Sequence, residues 1–187
     1  MKAQVVTEGE SDRILLTNLL RNTAREDDFE VRPAGGRSAA ISLAKSLLRR
    51  DAPAVALVVD ADTVDDQRIR EEYALLQDSM AEAVAANRRP YTVVLVVPEI
   101  ERLLFEDRAT AESLVGGQIT DADWVRAKFE PKKVLAARLP RVSRDGGRLD
   151  LRALDELLRT VDLRALTKSN PIQRITQLIE SSVAARN

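Results

Sequence analysis

Residues 55–62 read VALVVDAD: an unbroken apolar run that stops at Asp60, then Ala61 and a second aspartate, Asp62. A continuous run of this kind is typical of a central strand in a parallel sheet, buried on both faces. Upstream, residues 2–7 read as a short buried strand centred on Val5-Val6, and residues 29–33, FEVRP, as another. Between them a helix is predicted from Ser11 or Asp12, which are expected to cap it, with Ile14, Leu15, Leu16, Leu19 and Leu20 on a broad apolar face. The AGGRS turn at 34–38 leads into a helix through ISLAKSLLRR, where Ile41, Ala44, Leu47 and Leu48 are spaced to face a core. Downstream, Ile69, Tyr73, Leu76, Met80 and Val84 predict a helix over 67–88. YTVVLVV, 91–97, is a further buried strand that ends at Pro98-Glu99.

Strand–helix alternation at this spacing defines an α/β chain with a Rossmann-like, mostly parallel sheet flanked by helices on both faces. The second half is less regular. Short helices are predicted over 99–107 (EIERLLFED), over 121–130, and through PKKVLAARLP and DLRALDELL, with the polar turn SRDGGR between the last two. A final helix starts near Pro171, a residue favourable in a helix's first turn. The expected organisation is a core over residues 1–110 and a basic, mainly helical extension over 111–187 packed on it.

The composition narrows the chemistry. The chain has 187 residues and contains neither cysteine nor histidine. Disulfides, thiolate zinc sites, cysteine nucleophiles, Ser-His-Asp triads and histidine bases are therefore excluded. Any metal must be held by oxygen, which favours Mg²⁺, Mn²⁺ or Ca²⁺. No segment is long and apolar enough to span a bilayer, so no membrane association is expected and the cytoplasm is the expected location. Net charge is only -1, but residues 1–125 carry 23 acidic against 15 basic side chains, while residues 126–174 carry 13 basic against 6 acidic. An acidic centre beside a basic skirt suits a phosphorylated substrate approaching a metal site.

In open parallel sheets, ligands sit beyond the carboxyl ends of the strands. Three predicted strands end in acids: Glu8 after VVT, Asp60 and Asp62 after VALVV, and Glu99 and Glu101 after VVLVVP. If those strands are neighbours, the acids converge on one edge. Crowded carboxylates repel, and a divalent ion removes that cost. Such an ion would activate water and neutralise a leaving oxygen without any histidine, and Glu8 is placed either to bind it or to move a proton. Gly9 and the Gly35-Gly36 pair suit conformations or close approaches that a side chain would obstruct. Gly35-Gly36 before Arg37-Ser38 could present amides and a cation to phosphate, or form an ordinary turn. Lys132-Lys133, Arg141, Arg144 and Arg148 are candidates for nucleic-acid backbone contacts, and a lysine near a metal centre also stabilises charge developing on phosphate. Neither GxxxxGK[ST] nor GxGxxG is present. Few aromatics are available for stacking.

The stretches VVTEGESD, RPAGGRSAAISLAKSLL and ALVVDADT resemble a TOPRIM domain, the metal-binding module of topoisomerases, primases, ribosomal RNA maturases and OLD-family nucleases. Glu8-Gly9 and Asp60-Ala61-Asp62 fill the places of its Glu-Gly and Asp-x-Asp marks. VVLVVPEIERLLFED resembles, more narrowly, small OLD-like TOPRIM proteins of bacterial genomes, in which Pro-Glu-x-Glu follows the next strand. The resemblance covers residues 1–107. It implies a TOPRIM-like fold, Mg²⁺ or Mn²⁺ held by Glu8, Asp60, Asp62, Glu99 and Glu101, and catalysis by Glu8, Asp60, Asp62 and Glu101; Lys132, beyond the resemblance, is the candidate stabilising cation on its chemistry alone. The implied activity is phosphodiester hydrolysis of DNA or RNA, and the implied partner is a separate ATPase. The longer DxDxDG or DPDxxG form is not intact, since Thr63-Val64-Asp65-Asp66 follows Asp62 without a glycine. That departure keeps open a non-catalytic nucleic-acid-binding or regulatory module. Whether copies associate into a homo-oligomer is open as well.

Overall fold

The computed structural model describes residues 1–50, 52–84, 89–139, 143–144 and 148–185, with only the backbone described at 143, 144, 148 and 149. Four strands form one parallel sheet: β1 (Ala3–Thr7), β2 (Phe29–Pro33), β3 (Val55–Asp60) and β4 (Tyr91–Val96). Their spatial order is β2-β1-β3-β4, with Val6 opposite Leu57 and Asp60 opposite Val96. The Rossmann-like α/β architecture expected from the sequence is therefore present. After β2 the chain crosses back over β1 to place β3 on its other side. The carboxyl ends of β1 and β3 thus flank the crevice where the winding reverses, the place where such sheets take ligands.

Each face of the sheet is covered. Val55, Leu57 and Val59 of β3 pack with Ala40, Ala44 and Leu48 of α2 (Arg37–Arg49) and Leu76 and Met80 of α3 (Asp66–Val84). Ala56 and Val58, on the opposite face, join α1 (Glu10–Leu20). A buried valine or leucine contributes roughly 1.5–3 kcal/mol, and truncating one such as Leu57 to alanine costs about 2–5 kcal/mol. By the same alternation Asp60 lies on the α1 side, in line with Ala56 and Val58.

The α1 face continues into the second half of the chain. A 3₁₀ segment (Ile100–Phe105) follows β4, then α4 (Arg108–Val115), α5 (Asp121–Arg126) and α6 (Pro131–Arg138). A two-residue hairpin pair, β5 (Ser143–Arg144) and β6 (Arg148–Leu149), precedes α7 (Leu151–Thr160) and α8 (Asn170–Ala184). Leu135, Leu154, Leu158, Ile172 and Ile175 share one continuous core with Val5, Val58 and Val96.

Several boundaries differ from the sequence reading. Helix α1 begins at Glu10, with Gly9 as its N-cap. Asp12 does not cap from outside; it sits inside the first turn and its Oδ2 accepts the Gly9 N–H at 2.8 Å. The helix expected over 99–107 is a 3₁₀ segment, and α4, not expected from the sequence, follows it. Asp107 starts α4 by accepting the Thr110 N–H at 2.8 Å, and Gly116 stops it with φ 67°. The helix expected to reach residue 88 is described to Val84, and 85–88 lie outside the described residues. Among the described residues no helix is long and apolar enough to cross a membrane.

Candidate functional site

Glu8 is the first residue beyond β1. Its Oε1 accepts the Asp60 N–H at 3.1 Å, which ties the end of β1 to the end of β3. Its own carbonyl accepts the N–H groups of Gly35 and Gly36 at 2.9 and 2.8 Å. Those amides therefore hold the Glu8 backbone and are not presented to a phosphate. Gly35 and Gly36 have φ of 86° and 130°, a region that side chains rarely adopt, so glycine is required there. Gly9 is different. Its backbone is extended (φ -132°), and a Cβ would meet Asp12 at an ordinary 3.6 Å, so neither strain nor crowding demands a glycine.

Asp60 closes β3. Its Oδ1 accepts the Ile100 N–H at 2.8 Å, drawing the 3₁₀ segment against the sheet edge. Burial, followed by the charges of Asp12, Glu101 and Glu8, pushes its carboxyl up to about 8, against the pull of the Ile100 bond. Asp62 adopts φ 53°, its N–H donating to the Pro98 carbonyl at 2.9 Å. Its side chain faces solvent and lies 3.5 Å from the Arg37 guanidinium. Arg37 also donates to the Asp60 carbonyl at 2.6 Å and pairs with Glu72, so the cation expected for phosphate is engaged at the strand end.

From β4 come Glu99 and Glu101. Glu99 is half-buried, and burial together with the Glu101 charge raises its carboxyl above the usual range. Glu101 is 1% exposed, and neither of its carboxylate oxygens accepts a hydrogen bond. Its close cation is Lys132 of α6, whose Nζ stands 3.3 Å from Oε1 as an ion contact without hydrogen-bond alignment. Burial draws the Lys132 ammonium down, but the charges of Glu101, Glu99 and Asp60 outweigh it and hold the group above its ordinary pKa. Glu8 is likewise raised, by burial first and by Asp62 and Asp12, against the Asp60 N–H bond and Arg37.

The expected acids thus meet at one edge, though unequally: Glu101 inside, Asp60, Glu8 and Glu99 half-covered, Asp62 outside. Lys132 joins them from the extension. Asp12, assigned to capping in the sequence, is buried and is the strongest charged neighbour of Asp60. Its position four residues after Glu8, on the first turn of the following helix, was the available signal. Lys133 instead pairs with Glu130. Arg141 lies outside the described residues, as do the side chains of Arg144 and Arg148.

A hard divalent ion would suit this all-oxygen donor set and the orphaned Glu101 oxygens. Yet among the described residues no three acidic side chains come close enough together to hold one ion. Sharing an ion would require Glu8 and Asp60 to turn from their present backbone donors. Comparison with protein-family models, curated proteins and solved structures finds no match to the chain.

Proposed function

We propose that this protein is a divalent-metal-dependent phosphodiester hydrolase acting on DNA or RNA. One observation carries the reading: Glu101, 1% exposed and held by an ion contact to Lys132 with no hydrogen bond to either oxygen, sits beside Asp60 at the sheet's carboxyl edge. Lys132 compensates this buried carboxylate at 3.3 Å, but no hydrogen-bond donor satisfies it, an arrangement that costs free energy; a ligand that uses those oxygens would lower that cost. The resemblance of residues 1–107 to TOPRIM modules supports the same conclusion.

Glu8, Asp60, Asp62 and Glu101, with Glu99 at the margin, are the residues that would hold Mg²⁺ or Mn²⁺. The ion would supply Lewis-acid chemistry and offset phosphate charge. Lys132, kept protonated by its acidic neighbours, is available to stabilise charge on a phosphoryl oxygen. Glu8 and Glu99, raised above the ordinary carboxylate range, are suited to hold or move a proton. Labelled single- and double-stranded DNA and RNA, incubated with and without Mn²⁺, test the proposal. Cleavage should require the ion and vanish in Asp60→Ala and Glu8→Ala. Cleavage unchanged in those variants, or no cleavage of any substrate, would overturn it.

Among the described residues no three acids converge on one point, which favours a second reading, a non-catalytic nucleic-acid-binding or regulatory module, such as the partner of a separate ATPase. Mn²⁺ titration separates the two: ion binding without turnover in the presence of every substrate supports the second.

A further inference from the structure

Of the three phenylalanines, Phe29 and Phe105 are 4% and 2% exposed, whereas Phe129 is 56% exposed. Trp124 and Tyr73 are engaged. Trp124 meets Phe105 edge-on at 6.4 Å with the Arg108 guanidinium 5.7 Å from its centre, and Arg174 stands 5.7 Å from Tyr73. Phe129 is held in a bonded turn after α5. The Lys128 N–H donates to Val125 at 3.1 Å, and the Phe129 and Glu130 N–H groups donate to Arg126 at 3.0 and 2.9 Å.

This winding brings together Val125, Lys128 and Phe129, all exposed, at helical spacing. Lys133 lies just beyond, paired with Glu130 in a surface contact that exchanges readily for phosphate. Lys132, three residues after Phe129, reaches Glu101. Three residues span at most about 11 Å, so the ring stands within a few nucleotides of the acidic edge. An exposed aromatic face among lysines is the chemistry of single-strand binding, where bases stack and phosphates pair. Phenylalanine is enriched at protein interfaces too, but the flanking lysines, depleted there, favour phosphate.

Building on the nuclease reading, we infer that Phe129 is a stacking platform for a single-stranded segment of DNA or RNA entering the acidic edge, with Lys128 and Lys133 on its phosphates. A duplex hides its base faces, so the platform selects single strands or frayed ends.

The test is fluorescence anisotropy of the full chain with labelled single-stranded DNA, single-stranded RNA and duplex DNA of equal length, in EDTA so that cleavage is silent. Phe129→Ala should weaken single-strand binding about tenfold, leave duplex binding unchanged and leave the melting temperature unchanged. Phe129→Trp should retain affinity, and Phe129→Leu should not. The DNA and RNA arms show which strand is preferred. Equal affinity of Phe129→Ala and wild type, in a protein that still cleaves nucleic acid, overturns the platform and leaves the nuclease reading standing. Equal loss on duplex and single strand also overturns it, as does a wild type that binds neither. Dissolution of a dimer by Phe129→Ala, with single-strand affinity unchanged, overturns it in favour of self-association.

Discussion

Three acids at the carboxyl edge of the sheet and four on the helical extension shift in opposite directions. Glu8, Asp60 and Glu99 are all raised above their ordinary range, in each case chiefly by burial. Asp123, Glu130, Asp155 and Asp162 are all lowered, chiefly by hydrogen bonds to Arg138, Lys133, Asn18 and Arg164 respectively. On the extension these four carboxylates each have their own donor, and folding favours their charged form. At the sheet edge, carboxylates face one another with too few donors, and folding opposes the charged form. Stability does not account for the second arrangement, which is why the proposed activity is placed there.

The largest expected effect breaks that comparison at its centre. Asp60→Asn keeps an oxygen able to accept the Ile100 N–H but removes the charge. Metal-dependent cleavage should fall at least a hundredfold, measured as initial rate on a labelled oligonucleotide with Mn²⁺. A variant within threefold of wild type would remove Asp60 from the site.

The same substitution should stabilise the protein, and the pH dependence fixes the sign. Below about pH 4 the carboxyl is protonated in folded and unfolded chains alike. Between there and about 8 the unfolded chain releases the proton while the folded chain retains it, so stability falls as pH rises through this window. Above it the cost is fully present. Asp60→Asn is therefore expected to gain about 2–4 kcal/mol at pH 8, read as a rise of roughly 5–10 °C in melting temperature, and nothing at pH 4. An equal gain at both pH values would mean that packing, not charge, is responsible.

Much of the fold was legible because β1, β3 and β4 announce themselves as apolar runs, and parallel strands buried on both faces permit little else. Their terminal acids followed from that alone. What the sequence hid was orientation. Asp60 and Asp62 look equivalent, yet the left-handed turn at Asp62 sends its side chain to Arg37 and solvent while pleating turns Asp60 inward. Asp12 was hidden for a related reason: a first-turn aspartate is an ordinary capping residue, and only packing against β3 gives it Asp60 as a neighbour. The α4 helix escaped because EIERLLFED reads as one helix, when its last aspartate in fact begins the next.

A third prediction sharpens the border between the two regions. Lys132 belongs to the extension but compensates an acid of the sheet edge. Lys132→Met leaves the Glu101 charge buried without a cation and should cost about 1–2 kcal/mol at neutral pH, less than a fully buried pair because the lysine is partly exposed. Adding Glu101→Gln should restore most of that loss, a coupling measured by denaturant unfolding of both single variants and the double. Additive costs would show that the 3.3 Å approach carries no energy.

The smallest effect is expected at Asp162, where folding lowers the carboxyl to about 2 through Arg164, two residues away and also exposed. A shift of that size at a buried site would be a large stabilisation. Here solvent screens both charges, and a pair so close in sequence forms in the unfolded chain as well, so little of the shift separates the two states. Asp162→Asn should leave the melting temperature unchanged between pH 5 and 8, measured beside Asp60→Asn under the same conditions. If the two variants move stability by similar amounts, burial is not what distinguishes the acids of the sheet edge from those of the extension.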